Sequence, residues 1–164
     1  MALAPPSDIR IVALADAPAA AAVLADWFIE DWTPWYGPGG DGDAAADLAA
    51  CCRRDALPLA LVALDRDGAV LGTAALKAEP VADEPGPGPW LAALLVGPDH
   101  HGRGIATKLV AAIEAEARRL GYREIYTSTN AADRIIAGRG WQAVDTAGSL
   151  RGPLTVYRRV LVDG

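Results

Sequence analysis

Thiols and imidazoles are scarce in this chain. Its 164 residues include two cysteines and two histidines. The cysteines, Cys51 and Cys52, are adjacent, a spacing at which a disulfide ring would be badly strained. No metal-ligand spacing surrounds them. A disulfide scaffold and a structural metal are therefore not expected, and two thiols on a helix in a reducing compartment are. Long apolar runs are also missing. With no stretch of 18 apolar residues, no membrane-spanning helix is expected. Met1 to Asp8 lacks a basic region followed by an apolar one, so no secretory signal is read there, and the expected location is the cytoplasm. Basic residues are the minority, 15 Lys and Arg against 21 Asp and Glu, for a formal net charge of −6. A phosphate-backbone binder would want a basic face, so nucleic acid is not an expected partner. An acidic protein suits a cationic substrate such as an amine.

What the chain does have is length and apolar content for one domain. Half of its residues are hydrophobic, and 164 residues are short for two domains. Residues 1–164 are read as a single unit. Ile9–Leu14 reads as a strand, and Asp16 as the cap of an alanine-rich helix running towards Trp32. Thr33–Gly40 is a breaker cluster. Asp41 or Asp43 opens a second helix ending near Arg54. Leu59–Leu64 and Ala69–Lys77 form a hairpin around Asp65-Arg66-Asp67-Gly68. The proline-rich segment Glu79–Pro89 is a loop. Trp90–Val96 is nearly all apolar and so should be a central strand. Ile105–Leu120 is the clearest helix, with Ile105, Leu109, Ala112/Ile113, Ala117 and Leu120 on its apolar stripe and Glu114, Glu116, Arg118 and Arg119 facing out. Gly121 stops it. Glu124–Thr129 is a strand, Ala131–Arg139 a short helix, and Trp141–Asp145 and Thr155–Val162 the closing strands. The order β-α-α-β-β-β-α-β-α-β-β predicts a mixed α/β domain.

Chemistry concentrates where the buried strand runs into the clearest helix. The first N–H groups of a helix lack internal partners and carry partial positive charge, which makes an anion site. Gly102 and Gly104 admit a tight turn and a close phosphate, and Ala106 and Thr107 keep the first turn slim. Two familiar phosphate loops do not fit. Gly97 and Gly102 have the Walker spacing, but Arg103-Gly104 stands where Lys-Ser/Thr is required. A dinucleotide fingerprint would need glycine at Thr107 and should open a β-α-β unit.

The stretch Val96-Gly97-Pro98-Asp99-His100-His101-Gly102-Arg103-Gly104-Ile105-Ala106 resembles motif A of the GNAT superfamily, Val-x-Pro-x-x-(Arg/Gln)-Gly-x-Gly-Ile-(Gly/Ala). Gly72-Thr73-Ala74, Ala117-Arg118 to Gly121, Asn130 and Gly140-Trp141 agree in order, so the resemblance spans residues 8–162. It implies a mixed, mostly antiparallel twisted sheet with helices on both faces. It also implies an acyl-CoA-dependent N-acyltransferase, with acetyl-CoA as donor and a small-molecule amine as acceptor. By this resemblance Leu94, Leu95 and Val96 present backbone groups to the pantetheine arm, which lies where this strand splays from the next. His101, Gly102, Arg103, Gly104, Ile105, Ala106 and Thr107 cradle the pyrophosphate, and Asn130 touches the arm or the following helix. The amine attacks the thioester carbonyl directly, a backbone amide near Leu95 steadies the oxyanion, and the CoA thiolate leaves. Gly104→Glu is expected to abolish CoA binding and leave the fold intact. The family also includes homodimers.

Two departures from the pattern matter. His101 replaces the family's Arg or Gln and can still donate to a phosphate. Ile136 stands where the family usually has a tyrosine that protonates the leaving thiolate; Ser128, Tyr126 and Tyr157 are the candidate substitutes. Glu79, with Asp83 and Glu84 nearby, is the candidate general base. Trp27, Phe28, Trp32, Trp35 and Tyr36 hold half of the ten aromatic residues within ten positions. They read either as helix core or, for Trp27, Trp32, Trp35 and Tyr36, as a wall of the acceptor site, where aromatic faces attract an amine cation. Trp90 and Trp141 read as core. Arg134, Arg139 and Arg103 are the candidates to reach the 3′-phosphate of CoA, although solvated side chains are the simpler reading of the first two. A non-catalytic acyl-CoA sensor and a module for another nucleotide phosphate are the competing functions.

Overall fold

The computed structural model describes residues 9–32, 36–40, 42–78, 88–97, 104–129, 131–148 and 152–161. Four helices and a seven-stranded sheet are built from them: β1 (Arg10–Ala13), α1 (Ala20–Asp31), α2 (Ala44–Ala50), β2 (Leu59–Leu64), β3 (Val70–Lys77), β4 (Trp90–Val96), α3 (Ile105–Arg119), β5 (Glu124–Thr129), α4 (Asp133–Gly138), β6 (Gln142–Ala147) and β7 (Leu154–Val160). The sheet order is β1-β2-β3-β4-β5-β7-β6. Every neighbouring pair is antiparallel except β4 and β5, which run parallel. The expected architecture is therefore the observed one, with β4 in the middle of the sheet.

Alternation along the strands feeds two cores. Leu59, Leu61 and Ala63 of β2 pack with Leu91, Ile125 and the buried stripe Ile105, Leu109, Ile113 and Ala117 of α3. Ala60, Val62 and Leu64 face the other way, onto Leu24 and Phe28 of α1 and Leu48 of α2. Helices thus cover both faces. The α3 stripe ends at Gly121, whose φ of 92° is the left-handed turn that glycine adopts without cost. Its N–H donates to Arg118 O, and Tyr122 N–H to Ala117 O, closing the helix as expected.

Some local expectations are corrected. Asp16 does not cap α1. It ends a short 3-10 turn, Leu14–Asp16, and pairs with Arg54, while Pro18 delays the helix to Ala20. For α2, one of the two expected caps, Asp43, accepts from the Ala46 N–H at 3.0 Å. That helix ends at Ala50, short of Arg54. β6 reaches Ala147 rather than Asp145. The largest error is Glu114, placed on the solvent side by its charge. It is fully buried, held by Arg139 and Trp141. That also removes Arg139 as a free partner for a CoA phosphate. Trp90 and Trp141 are buried as expected.

Candidate functional site

β4 carries the irregularity that makes the site. It pairs with β5 at two positions only, Trp90 with Tyr126 and Leu91 with Thr127. The Thr127 hydroxyl donates to Leu91 O at 2.8 Å and fastens the apex. Beyond it the two parallel strands share no further pairs, and Ala92 to Val96 are half-buried although they lie mid-sheet. On its other edge β4 stays paired to β3, but the register breaks: Thr73 faces Leu95 while Ala75 faces Ala92. Two residues, Ala93 and Leu94, therefore oppose Ala74 alone, which is a β-bulge. Ala93 has a φ of 54°, a left-handed conformation rare outside glycine and here forced by the bulge. The phase change is visible in packing: Leu91 and Leu94, three apart, both pack on the α3 side, a spacing that an unbroken strand would put on opposite faces.

The bulge and the gap together aim backbone groups. Gly97 N–H donates to Leu71 O at 2.9 Å, so Gly97 and Leu95 turn their amides towards β3. Strand alternation then turns those of Val96 and Leu94 towards the gap. Leu94 and Val96 thus lie on the edge of β4 that faces the gap. The amide beside the gap is that of Leu94, one residue before Leu95.

The C-terminal end of β4 leads to α3, which opens at Gly104. Its φ of 75° is left-handed, no side chain caps the helix, and a Cβ built there would meet nothing within 4 Å. Lys108 N–H already bonds Gly104 O, so by helix geometry the N–H groups of Ile105, Ala106 and Thr107 have no acceptor in the helix. Ile105 is buried beneath this first turn, and Ala106 and Thr107 lie at the surface above it. Because Gly104 is left-handed, Gly104→Glu adds backbone strain and should lower stability while the protein still folds. His101, Gly102, Arg103, Asn130, Glu79 and Trp35 lie outside the described residues.

On the opposite face from α3, against the bulge, a shallow cleft with room for about one water opens between α1, α2 and the sheet. Phe28, Tyr36, Asp47, Cys51, Thr73, Lys77 and Ala93 are among its lining residues. Tyr36 lines this cleft, and its hydroxyl donates to Asp47 Oδ2 at 2.7 Å. Trp27 and Trp32 do not line the cleft but pack, half-buried, on the α1–α2 core. The rings of Phe28, Trp32 and Tyr36 cluster at centroid distances of 5.0 to 6.5 Å. Sequence reading passed over Asp47, Thr73, Lys77 and Ala93. For Lys77 a signal existed, since Thr73, Ala75 and Lys77 alternate onto one face of β3. Burial pushes the Cys51 thiol up, which suits a packed residue and not a nucleophile.

Ile136 is buried in the α3-side core, so no acid stands at that position. Of the candidate substitutes, Tyr126 lies against Trp90 at 5.3 Å, at the apex. Ser128 follows the last paired residue of β5 and is nearest the gap by register. Tyr157 donates its hydroxyl to Asp133 Oδ2 at 2.8 Å, and this hydrogen bond raises its pKa. The neutral phenol is the form stabilised. Its contribution is therefore complete below the ordinary value of 10 and is lost as pH climbs through the raised one. Tyr157→Phe is expected to cost about 1–2 kcal/mol in urea unfolding at pH 7. The difference from the parent protein should shrink above about pH 10. A constant difference across that range would mean the hydroxyl makes no such bond.

Comparison with known proteins agrees with this geometry. The model of the Acetyltransferase (GNAT) family matches residues 22–137. The chain belongs to this family of acyl-CoA-dependent N-acetyltransferases. Among solved structures, a GCN5-related N-acetyltransferase from Kribbella flavida has 21% identity and a TM-score of 0.73, over 95% of this chain and 99% of its own. An aminoglycoside 6′-N-acetyltransferase complexed with coenzyme A has 15% identity and a TM-score of 0.75, over 94% and 98%. The protein yncA from Salmonella typhimurium, solved with its cofactor acetyl-CoA, has 23% identity and a TM-score of 0.71, over 96% of each chain. No curated protein matches in sequence. Among the described residues no helix is long and apolar enough to cross a membrane, and no cluster of His, Cys, Asp or Glu could hold a metal ion.

The residues present suit coenzyme A, the acyl carrier of this family. The gap beside β4 offers a strand edge that β5 does not cover to an extended amide-bearing arm, and the start of α3 offers amides and an open Cα surface to a pyrophosphate.

Proposed function

We propose that this GNAT enzyme transfers an acetyl group from acetyl-CoA to a primary amine of a small molecule by direct attack. One observation carries the reading. The bulge at Ala93–Leu94 lies where the gap between β4 and β5 meets the cleft beneath α1 and α2, so one side receives the donor and the other the acceptor. The bound thioester supplies an activated acyl group and a thiolate leaving group. Leu94 and Val96 hold the arm along the strand edge through their backbone, and the Leu94 amide donates to the acyl oxygen as charge gathers there. Ile105, Ala106 and Thr107 anchor the pyrophosphate with their amides, and His101, Gly102, Arg103 and Asn130 complete the cofactor contacts. Tyr36 and Asp47 position the ammonium, whose proton passes to Glu79 before attack. The acyl-CoA dependence and the two reduced thiols suit a cytoplasmic enzyme.

Acetyl-CoA titrated by calorimetry is expected to bind at micromolar concentration while ATP does not. Release of free CoA thiol on adding amines then reports turnover. No heat with acetyl-CoA would defeat the cofactor assignment. A second reading, an acyl-CoA sensor, is favoured by the buried Ile136 alone. Binding without thiol release for any amine would select it.

A further inference from the structure

The acceptor cleft contains a cation that the transfer reaction does not need. Lys77 lies half-buried at the end of β3 and lines the cleft with Asp47. Among the described residues it has no hydrogen bond and no ion pair. A lysine half-removed from water without a counter-ion costs stability that a bound anion returns. A purely cationic acceptor would be repelled by it. Trp90 faces Lys77 across the ladder, on the same side of the sheet. Its indole N–H is buried, and no acceptor meets it. A buried donor left unpaired is similarly costly. Trp90 is not among the residues that line the cleft, so Lys77 is the unsatisfied donor that faces it. Asp47, on the α2 wall, supplies the opposite charge.

We infer that the acceptor is a primary amine that also carries a carboxylate or phosphate, with its anionic group taken by Lys77 and its ammonium by Asp47. This rests on the acyl-transfer reading and narrows its substrate. It distinguishes the chain from its structural neighbours named for aminoglycosides, which are polycations, and it runs against the acidic balance of the protein as a whole.

The test compares acceptors that differ only in the anion: phenylalanine with phenethylamine, and O-phosphoethanolamine with ethanolamine. Each is assayed with wild type, Lys77→Met and Lys77→Arg, after confirming that every variant binds acetyl-CoA and melts as wild type does. Wild type should prefer the anionic member of at least one pair, and which pair responds tells carboxylate from phosphate. Lys77→Met should raise KM for that acceptor by about 10- to 100-fold with kcat little changed, and leave its neutral partner unaffected. Lys77→Arg should restore most of the loss. Preference for the plain amines, or an equal loss on both members in Lys77→Met, overturns the inference. If no amine is turned over, the transfer reading fails separately. Calorimetry of the same four ligands with CoA-loaded protein then decides the site: Lys77-dependent binding of an anionic ligand sustains it, and no such binding ends it.

Discussion

Glu114→Ala is expected to destabilise the protein by about 3 kcal/mol or more, the range seen when one partner of a buried ion pair is removed. The carboxylate is fully buried midway along α3. Arg139 Nη2 donates to Oε1 at 2.6 Å and Trp141 Nε1 to Oε2 at 2.9 Å. Arg159 Nε stands 3.3 Å from Oε1, close enough to pair in charge though outside hydrogen-bond geometry. These partners come from the end of α4, the residue before β6, and β7, so one side chain of α3 ties down the last third of the chain. Alanine would leave a buried indole N–H without an acceptor and two guanidinium groups without a counter-charge. Both arginines keep about a quarter to a third of their side-chain surface exposed and can recover some hydration, which holds the loss to the lower part of the range. Glu114→Gln keeps an acceptor for Trp141 and should lose about 1–2 kcal/mol. Urea midpoints with unchanged slopes are the measure. An alanine variant within about 0.5 kcal/mol of wild type, the scatter of ordinary surface changes, would show that the carboxylate does not hold this seam.

That residue also marks where the letters stop being informative. The period of α3 was legible because Ile105, Leu109, Ile113 and Ala117 repeat at helical spacing. Glu114 shares its buried side with Val110 and Ala117, but a charge on a helix is by default a solvated one. Its partners lie 25 to 27 residues away for the hydrogen bonds, a juxtaposition that only the fold creates. The same holds for the site. Val96 to Ala106 was legible because a strand, a glycine turn and a helix start are contiguous in sequence, and that is enough for an anion site. The gap between β4 and β5 entered as an implication of resemblance, not from periodicity, since nothing in Trp90–Val96 announces a bulge. A left-handed alanine at position 93 breaks local preference, and such conflicts gather where function overrides propensity. The aromatic run divides: Tyr36 lines the cleft, whereas Trp27 and Trp32 pack on the core, because clustering in sequence does not say what each ring meets. Lys77 was missed for the opposite reason: it ends an apolar strand, where a charge ordinarily marks the exit to solvent.

Gly104→Glu should reduce affinity for CoA by about 100-fold or more, the loss expected when two charge-assisted bonds of about 1.5–3 kcal/mol each are removed. The position opens α3 with a φ of 75°. A non-glycine residue there costs about 1–2 kcal/mol of backbone strain. A carboxylate beside a helix N-terminus returns about 0.3–1 kcal/mol, so the variant should fold with a modestly lower melting temperature. That stabilising contact is what would exclude the ligand. The carboxylate would take the amides of Ile105, Ala106 or Thr107 and repel the pyrophosphate they are placed to receive. Gly104→Asn separates the two effects, because asparagine tolerates the left-handed region and brings no charge. The asparagine variant should bind CoA within about 10-fold of wild type, one lost tenfold step corresponding to about 1.4 kcal/mol. If both variants lose binding equally, the glycine matters for the shape of the helix start and not for its field. If Gly104→Glu binds CoA as wild type does, the pyrophosphate does not sit at α3, and the donor side of the site must be sought elsewhere along the gap beside Leu94 and Val96.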